Sequence, residues 1–330
     1  MNARGKWLSY LIYYYDEQDR LLTQCIRPLV DTLKSRESFV QYFFIRYWEG
    51  GPHIRFRVLA QNGDEALENV IETCIRTYLE VEPSTLDLSE RVMREHFLKF
   101  SRLENVAVSF TVQPNNSLRR KEYEPEYDRY GGREGTICSE AHFFHSSELC
   151  LGLLRDMREK GRQRLTVAMA VTLTILEAFG MGIEDSLTIL SKYSRVWQRY
   201  IPQDPRQVQD YFGQKYRAQK DKIVNYLHHY FHDKSKIIPE ELLAPWMAHL
   251  DNTNEQMTQL YRNGQLTFQA EGDQYLKGLE HIPNYKLIPI VISYIHMSNN
   301  RLGIRPEQEA YLGFLLYKGL LEIADKMRLE

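Results

Sequence analysis

The sequence predicts an α+β fold, in which an N-terminal mixed or antiparallel sheet with flanking helices precedes a mostly α-helical C-terminal half. Segments typical of strands are confined to the first third of the 330 residues, where they are rich in aromatic residues or alternate in polarity. From Ser139 onward, apolar residues recur almost throughout at helical spacing. We therefore expect a sheet-containing portion at residues 1–135 and an α-helical portion at residues 136–330, packed as one domain.

Strands and helices are expected to alternate in the first portion. The two middle strands flank Glu49-Gly50-Gly51-Pro52, which indicates the turn of a hairpin. Predicted strands cover Trp7–Tyr15, Val40–Tyr47, His53–Leu59 and Val106–Val112, and predicted helices cover Glu17–Lys34 and Asp64–Tyr78.

The second portion is expected to consist of successive helices. Asp204-Pro205 and Arg305-Pro306 indicate helix starts, because proline is favoured in the first turn of a helix. The predicted helices cover Glu140–Lys160, Leu165–Phe179, Ile183–Arg199, Arg206–His229, Glu240–Arg262, Tyr285–Ser298 and Pro306–Lys326.

Composition and charge exclude several classes of function. The formal net charge of −2 gives no global signal for binding nucleic acid or a membrane surface. The apolar run near the N-terminus is too short for a signal peptide, and Glu177 interrupts the apolar stretch Leu165–Gly180, which is too short to span a membrane. The four cysteines form no Cys-x-x-Cys pair, so we expect reduced thiols in a cytoplasmic protein.

The strand predicted after the hairpin turn places two arginines on one face. Alternation puts Arg55 and Arg57 on the same side as His53. The opposite side carries the apolar residues Ile54, Phe56 and Val58. Neighbouring guanidinium groups repel each other, so this face needs either carboxylates of the protein, as in an ordinary salt-bridged surface, or an anionic ligand.

Two further segments carry residues suited to acid–base chemistry. Glu126 and Arg129 precede Gly131-Gly132, and this spacing fits either a structural ion pair beside a turn or part of a binding site. His296 lies near the end of a predicted helix, where a histidine serves either as a packing residue or as a proton-transfer group.

Together, these segments resemble the C-terminal elimination domain of lantibiotic dehydratases, which also occurs as a stand-alone thiopeptide-type bacteriocin biosynthesis protein. The resemblance extends from Trp7 to the last predicted helix. It rests on the motifs Pro-His-Ile-Arg-Phe-Arg, Glu-x-x-Arg-Tyr-Gly-Gly and His-Met-x-x-Asn-Arg-Leu-Gly. The elimination residues that the resemblance implies are Arg55, Arg57, Glu126, Arg129 and His296.

The resemblance also implies a reaction and its partners. A separate glutamylating enzyme esterifies Ser or Thr of a ribosomal precursor peptide, leader plus core, with glutamate from glutamyl-tRNA. This chain then eliminates glutamate, leaving dehydroalanine or dehydrobutyrine. We expect no direct contact with nucleic acid and no membrane span. No metal or nucleotide cofactor is expected either, because the sequence has no Walker loop, no Gly-x-Gly-x-x-Gly and no His-Glu-x-x-His. The oligomeric state, including a homo-oligomer, stays open.

The chemistry suggests a role for each implied residue. The arginines hold glutamyl carboxylates and offset enolate charge, and Glu126 orients one of them. His296 donates or accepts a proton, and the sequence leaves both roles open. These segments are expected to converge on one anion-binding pocket. Two alternatives are a thiopeptide [4+2] pyridine synthase of the same superfamily and a non-catalytic module that binds the precursor.

Overall fold

The computed structural model describes residues 5–61, 65–104, 111–268 and 276–329, and it confirms the α+β class. The chain divides into two compact units. The first unit contains Met1–Pro125 and Ser146–Arg155, and the second contains Glu126–His145 and Asp156–Glu330. The units therefore interleave along the sequence, and the helix Gly132–Lys160 contributes residues to both.

The first unit contains a four-stranded antiparallel sheet with strand order β2-β3-β1-β4. The strands are β1 (Lys6–Tyr13), β2 (Phe39–Tyr47), β3 (His53–Ala60) and β4 (Ser117–Arg120). The predicted first strand and the predicted hairpin are thus confirmed. The strand predicted at Val106–Val112 lies outside the described residues at 106–110, and residues 111–112 are not in a strand.

The last strand of the sheet, β4, was not predicted. Its sequence, Ser-Leu-Arg-Arg, is polar and short, so it carries no clear strand pattern of its own. Residues 117–120 become a strand because they pair with β1, with Leu118 opposite Ile12 and Arg119 opposite Leu11. This pairing joins segments more than 100 residues apart and is invisible to local pattern.

The hairpin turn depends on two glycines in the left-handed region of backbone space. Gly50 has φ 75° and Gly51 has φ 125°, conformations that L residues with a side chain rarely adopt. A Cβ atom on Gly51 would also lie 2.6 Å from the hydroxyl of Tyr15. The Gly-Gly pair therefore fixes the point at which β2 reverses into β3.

Helices of the first unit bury the apolar side of the sheet, and Met93 of the helix Glu90–Glu104 packs on the other side in a cluster with Leu11 and Tyr13. The predicted first helix is confirmed, with a π-helical turn at Leu22–Ile26 inside it. Residues on the apolar face of β3, such as Phe56 and Val58, are fully buried. The helical segments of this unit are Gln18–Leu21, Leu22–Ile26, Arg27–Leu33, Glu65–Val81 and Glu90–Glu104, together with residues 146–155. The helix Glu90–Glu104 was not predicted, since Val92 and Leu98 on it are exposed and weaken its apolar periodicity.

The second unit is helical, as predicted. In the described ranges its α-helices after Lys160 include Arg164–Ala178, Ile183–Gln198, Pro205–Arg217, Lys220–His232, Glu240–Arg262, Ile288–Arg301 and Pro306–Leu329. One expectation was wrong: the helix predicted at Arg206–His229 is two helices, because Gln219 leaves helical geometry with φ −135° and ψ 18°. Asp204 caps the first of them by accepting a hydrogen bond from the backbone amide of Arg206 at 2.8 Å.

The cysteines Cys25, Cys74, Cys138 and Cys150 are free thiols, and all but Cys74 are buried. Across the described ranges, none of the helices combines the length and the apolar character that crossing a bilayer demands.

A buried histidine lies in the core of the second unit. His142 is fully buried and stacks on Tyr294, with ring centroids 3.9 Å apart. Neither of its ring nitrogens has a hydrogen-bond partner among the described residues. Burial holds the pKa of His142 well below its usual range, and nearby His249, Arg301 and His145 lower it further. The native state therefore keeps this imidazole neutral.

Because the folded protein holds His142 neutral, we expect the protein to lose stability in acid, where the unfolded chain binds a proton at this residue. An unfolded chain protonates histidine near pH 6.5, whereas the folded chain does not, so the stabilising contribution is complete above that pH and falls below it. We expect the His142→Phe variant, which keeps a ring, to lose about 2 kcal/mol less unfolding free energy than the wild type between pH 6.5 and pH 5. Urea unfolding at both pH values measures this difference. Equal losses in the two proteins would contradict the assignment.

Candidate functional site

The first unit presents a cationic sheet face centred on β3. As predicted, Arg55 and Arg57 share one face with His53, while the residues between them point into the core. The register places Arg55 between Leu11 of β1 and Ile45 of β2. Arg57 lies in the next row, between Ser9 and Phe43. We call this surface the arginine face.

Arg55 is partly neutralised by the turn that precedes its strand. Its Nη2 lies 3.0 Å from a carboxylate oxygen of Glu49, and its guanidinium carbon is 3.5 Å from the ring centroid of Tyr47. The side chain is 16% exposed. The buried Nε of Arg55 has no hydrogen-bond partner among the described residues, so one donor of the guanidinium fork is not satisfied by them.

Aromatic rings surround Arg57. Its guanidinium carbon lies 5.1 Å from the ring centroid of Phe43 and 4.5 Å from that of Tyr123. Trp7 completes the cluster, with its ring 5.1 Å from Phe43 and 5.2 Å from Tyr123. The ring faces attract the cation and exclude water around it, so this arginine is held in place while it keeps its charge.

A third arginine belongs to the arginine face and was missed in the sequence. Arg119 on β4 pairs with Leu11, in the same row as Arg55. The pKa of the buried Tyr13 is raised to about 12, chiefly by burial and also by Glu49, while the charges of Arg119 and Arg55 lower it. The signal for Arg119 in the sequence was weak because β4 itself has no strand pattern.

The Glu126–Arg129 segment of the second unit forms a compact turn. The carboxylate of Glu126 lies 3.2 Å from Nη1 of Arg129, and the backbone amide of Arg129 donates to the carbonyl of Glu126 at 3.1 Å. Gly131 and Gly132 follow with φ 79° and 87°, and a Cβ atom on Gly132 would lie 2.6 Å from Oγ1 of Thr267. Glycine is therefore required where this turn enters the helix Gly132–Lys160.

Arg129 is also connected to the helix that carries His296. Its Nε donates a hydrogen bond of 3.1 Å to the hydroxyl of Ser293, 164 residues away in the sequence. Ser293 and His296 both belong to the helix Ile288–Arg301, which we call the His296 helix. Residues three apart on a helix are neighbours on one face. The hydroxyl of Ser293 therefore brings Arg129 to the face of the helix from which His296 projects.

The imidazole of His296 is fixed on two sides. Its Nδ1 lies 2.9 Å from a carboxylate oxygen of Glu309, and its ring stacks on Trp197 with centroids 4.4 Å apart and an interplanar angle of 25°. The side chain of His296 is 18% exposed, whereas that of Glu309 is 1% exposed. A buried carboxylate thus backs a histidine that still reaches the surface.

The structure sorts the five predicted site residues into two groups. Arg55 and Arg57 belong to the first unit. Glu126, Arg129 and His296 belong to the second, where Arg129 pairs with Glu126 and donates to Ser293 on the His296 helix. In the described ranges, no group of three His, Cys, Asp or Glu residues is arranged to hold a metal ion. These residues supply guanidinium donors, a carboxylate and an imidazole. Such groups are suited to anion binding and proton transfer.

Glu309 was also missed in the sequence. It lies in the first turn of the helix Pro306–Leu329, where acidic residues are usual because they complement the helix dipole. Glu307 lies in the same turn, and no local feature separates the two. Only the packing of the helices identifies Glu309 as the partner of His296.

Solved structures of other proteins share this fold. The pyridine synthase TbtD from thiomuracin biosynthesis matches with a TM-score of 0.79 and 16% identity, covering 97% of this chain and 99% of TbtD. TsrL matches with a TM-score of 0.64 and 18% identity, over 97% and 96% of the two chains. The tRNA-dependent lantibiotic dehydratase MibB from Microbispora sp. 107891 matches with a TM-score of 0.60 and 17% identity. This chain covers 29% of MibB, and 99% of this chain is matched.

At these identities the structural matches establish the fold alone, and the family follows from the sequence. No curated protein sequence matches this chain. The model of the family described as "Lantibiotic biosynthesis dehydratase C-term" matches residues 7–320, a range that contains both the arginine face and the Glu126–Arg129–His296 group. The chain therefore belongs to the lantibiotic biosynthesis dehydratase C-terminal family.

Proposed function

We propose that this protein is a lyase that eliminates glutamate from glutamylated Ser or Thr of a ribosomal precursor peptide. Its products are free glutamate and a peptide containing dehydroalanine or dehydrobutyrine. A separate tRNA-dependent enzyme supplies the glutamyl ester. The observation that carries the proposal is the connection of Arg129, through Ser293, to the face of the helix that presents His296.

The elimination requires a base, a stabilised enolate and a site for the departing carboxylate. The α-proton of a peptide residue is weakly acidic, so much of the rate must come from positive charge placed where the enolate develops. An imidazole transfers protons near neutral pH. Arginine binds carboxylates through a planar fork of donors. The second unit carries an imidazole and a guanidinium group, and the first unit carries the arginine face.

In the second unit, His296 transfers the proton and Arg129 supplies positive charge beside it. Glu126 holds one side of the Arg129 guanidinium at 3.2 Å, and Ser293 holds another at 3.1 Å. Arg129 is 37% exposed and Glu126 is 59% exposed at their side chains, so the pair is open to a ligand. A substrate oxyanion can therefore reach this guanidinium while its orientation is maintained.

In the first unit, the arginine face supplies carboxylate-binding groups. Arg55 has one carboxylate partner in Glu49 and a buried Nε that none of the described residues satisfies. The rings of Phe43 and Tyr123 hold Arg57 on the same face. Arg119 adds a third cation to the same sheet face. The glutamyl group, whose α-carboxyl group forms the ester, carries a free side-chain carboxylate that suits such donors.

Mass spectrometry of a glutamylated precursor tests the proposal. The purified protein should release glutamate from a peptide whose Ser or Thr carries the glutamyl ester, leaving the dehydrated residue and an intact leader. The same peptide without protein is the control. A persistent ester, with correctly folded protein, would refute elimination.

A second candidate function is the pyridine synthase activity in the superfamily. The match to TbtD over nearly the full length of both chains favours it. This function predicts a different outcome: a peptide that already contains dehydroalanines should form a macrocycle and lose its leader, while the glutamyl ester should persist. The third possibility, a non-catalytic precursor-binding module, predicts binding of the peptide without conversion of either substrate.

A further inference from the structure

A buried carboxylate lies directly behind His296 and has no role in the reaction proposed above. The side chain of Glu309 is 1% exposed, although it lies in the first turn of its helix, where acidic residues normally face water. Burying a carboxylate is unfavourable unless hydrogen bonds replace its hydration. Both carboxylate oxygens have such bonds: one contacts Nδ1 of His296, and the other accepts from the hydroxyl of Tyr193.

The direction of these hydrogen bonds follows from the groups that make them. The side-chain amide of Asn299 donates to the phenolic oxygen of Tyr193 at 3.2 Å, which leaves the phenolic hydrogen for Glu309. Burial, followed by the charge of Glu309, holds the pKa of Tyr193 well above its usual range, so this phenol stays protonated. One oxygen of Glu309 is thus an acceptor from Tyr193, and the other is an acceptor for His296.

An acceptor at Nδ1 determines the tautomer of the imidazole. A neutral His296 must carry its proton on Nδ1 to donate to Glu309, so Nε2 keeps the lone pair. No hydrogen bond to Nε2 occurs within the described part of the chain. Stacking on Trp197 restricts rotation of the ring, so Nε2 keeps a fixed direction.

We propose that Glu309 is a positioning residue, which holds His296 as the Nδ1–H tautomer and makes Nε2 the atom that accepts the substrate proton. Tyr193 and Asn299 hold Glu309 in this position. The inference rests on the proposed elimination and decides between the two proton-transfer roles of His296: it acts first as a base. A carboxylate that orients an imidazole serves the same purpose in hydrolytic triads.

The elimination step balances with this assignment. The lone pair of Nε2 takes the α-proton of the glutamylated residue, and the electrons of the C–H bond form the enolate. These electrons then make the carbon–carbon double bond, and the C–O bond to the glutamyl group breaks with its electron pair on the departing carboxylate. His296 becomes an imidazolium beside the carboxylate of Glu309, and it later returns the proton to solvent.

The variant Glu309→Gln tests the inference. An amide has one acceptor oxygen, so it cannot accept from both Tyr193 and His296, and it carries no charge to offset an imidazolium. We expect glutamate elimination to slow by about 10- to 100-fold, as when the groups that orient a functional histidine are removed. The acidic limb of the pH–rate profile should move to lower pH. Nitrogen-15 NMR should detect loss of the Nδ1–H tautomer of His296.

The control is a second His–carboxylate pair in the same unit. His281 lies 3.1 Å from Asp185 and is 64% exposed, so Asp185→Asn makes the same chemical change at an exposed site. This variant should leave the elimination rate unchanged. Tyr193→Phe keeps the carboxylate but removes one of its donors, and it provides a milder test with a smaller expected loss of rate if Glu309→Gln folds poorly.

The two readouts separate this inference from the proposed function. If the wild type releases no glutamate, the proposed function fails, while the NMR comparison still decides whether Glu309 sets the tautomer. A slower Glu309→Gln variant with an unchanged tautomer and an unchanged pH profile would mean that Glu309 has a structural role only, and it would overturn the inference. Wild-type behaviour of this variant in both measurements would do the same.

Discussion

Replacing His296 with alanine is expected to reduce the rate of glutamate elimination by about 100- to 10,000-fold, because the step then lacks its proton-transfer group. Glutamylated precursor should accumulate when the glutamylating enzyme is present. Mass spectrometry of the precursor, followed over time, measures both the ester and the dehydrated product.

The control for this substitution is His281→Ala. His281 is an exposed histidine of the same unit and contacts a carboxylate, but it lies outside the candidate site. We expect this variant to eliminate glutamate at the wild-type rate. Thermal unfolding of both variants should accompany the assay, since His296 stacks on Trp197 and its loss removes that contact. Normal turnover by folded His296→Ala protein would exclude His296 from the reaction.

Replacing Arg129 with alanine is expected to slow elimination by about 100- to 1,000-fold, the usual effect of removing one preorganised donor to a developing oxyanion. The variant loses the cation, its ion pair with Glu126 and its hydrogen bond to Ser293. Arg129→Lys keeps the charge but has no Nε to reach Ser293. We therefore expect it to recover only part of the rate. Single-turnover assays with the glutamylated peptide measure these effects.

Arg133→Ala is the matched control, because Arg133 is an exposed arginine in the first turn of the helix that follows the Gly-Gly turn. Its removal changes the net charge as Arg129→Ala does, so it separates a specific contact from a general electrostatic effect. Equal rates in the two variants would contradict the role of Arg129. A deficit in substrate binding alone, without a slower chemical step, would move Arg129 from enolate stabilisation to peptide binding.

The sequence predicted most of the fold because much of it follows from local pattern. Alternation on β3 assigned Arg55 and Arg57 to one face, and the structure confirms this. Helical spacing found the main helices of the second unit, and Asp204-Pro205 marked a helix start that is capped as expected. The split at Gln219 was missed, since apolar residues continue at helical spacing across it.

The candidate site was predicted only in part, since its residues depend on contacts between distant segments. The motif residues Glu126, Arg129 and His296 were identified individually. Their connection through Ser293 was not, because residues 164 apart share no local pattern. Arg119 was missed for a related reason: it joins the arginine face through the pairing of β4 with β1.

The sequence alone determined the identity of the chemical groups and the faces on which regular elements present them. A strand alternates and a helix repeats every 3.6 residues, so residues such as Arg55 and Arg57 are placed by their own neighbours. Tertiary structure decided which groups meet. His296 contacts Glu309, the carboxylate that helix packing buries more deeply than its neighbour Glu307 in the same turn. Three-dimensional packing decides which carboxylate contacts the histidine, because a buried carboxylate is unfavourable unless hydrogen bonds replace its hydration.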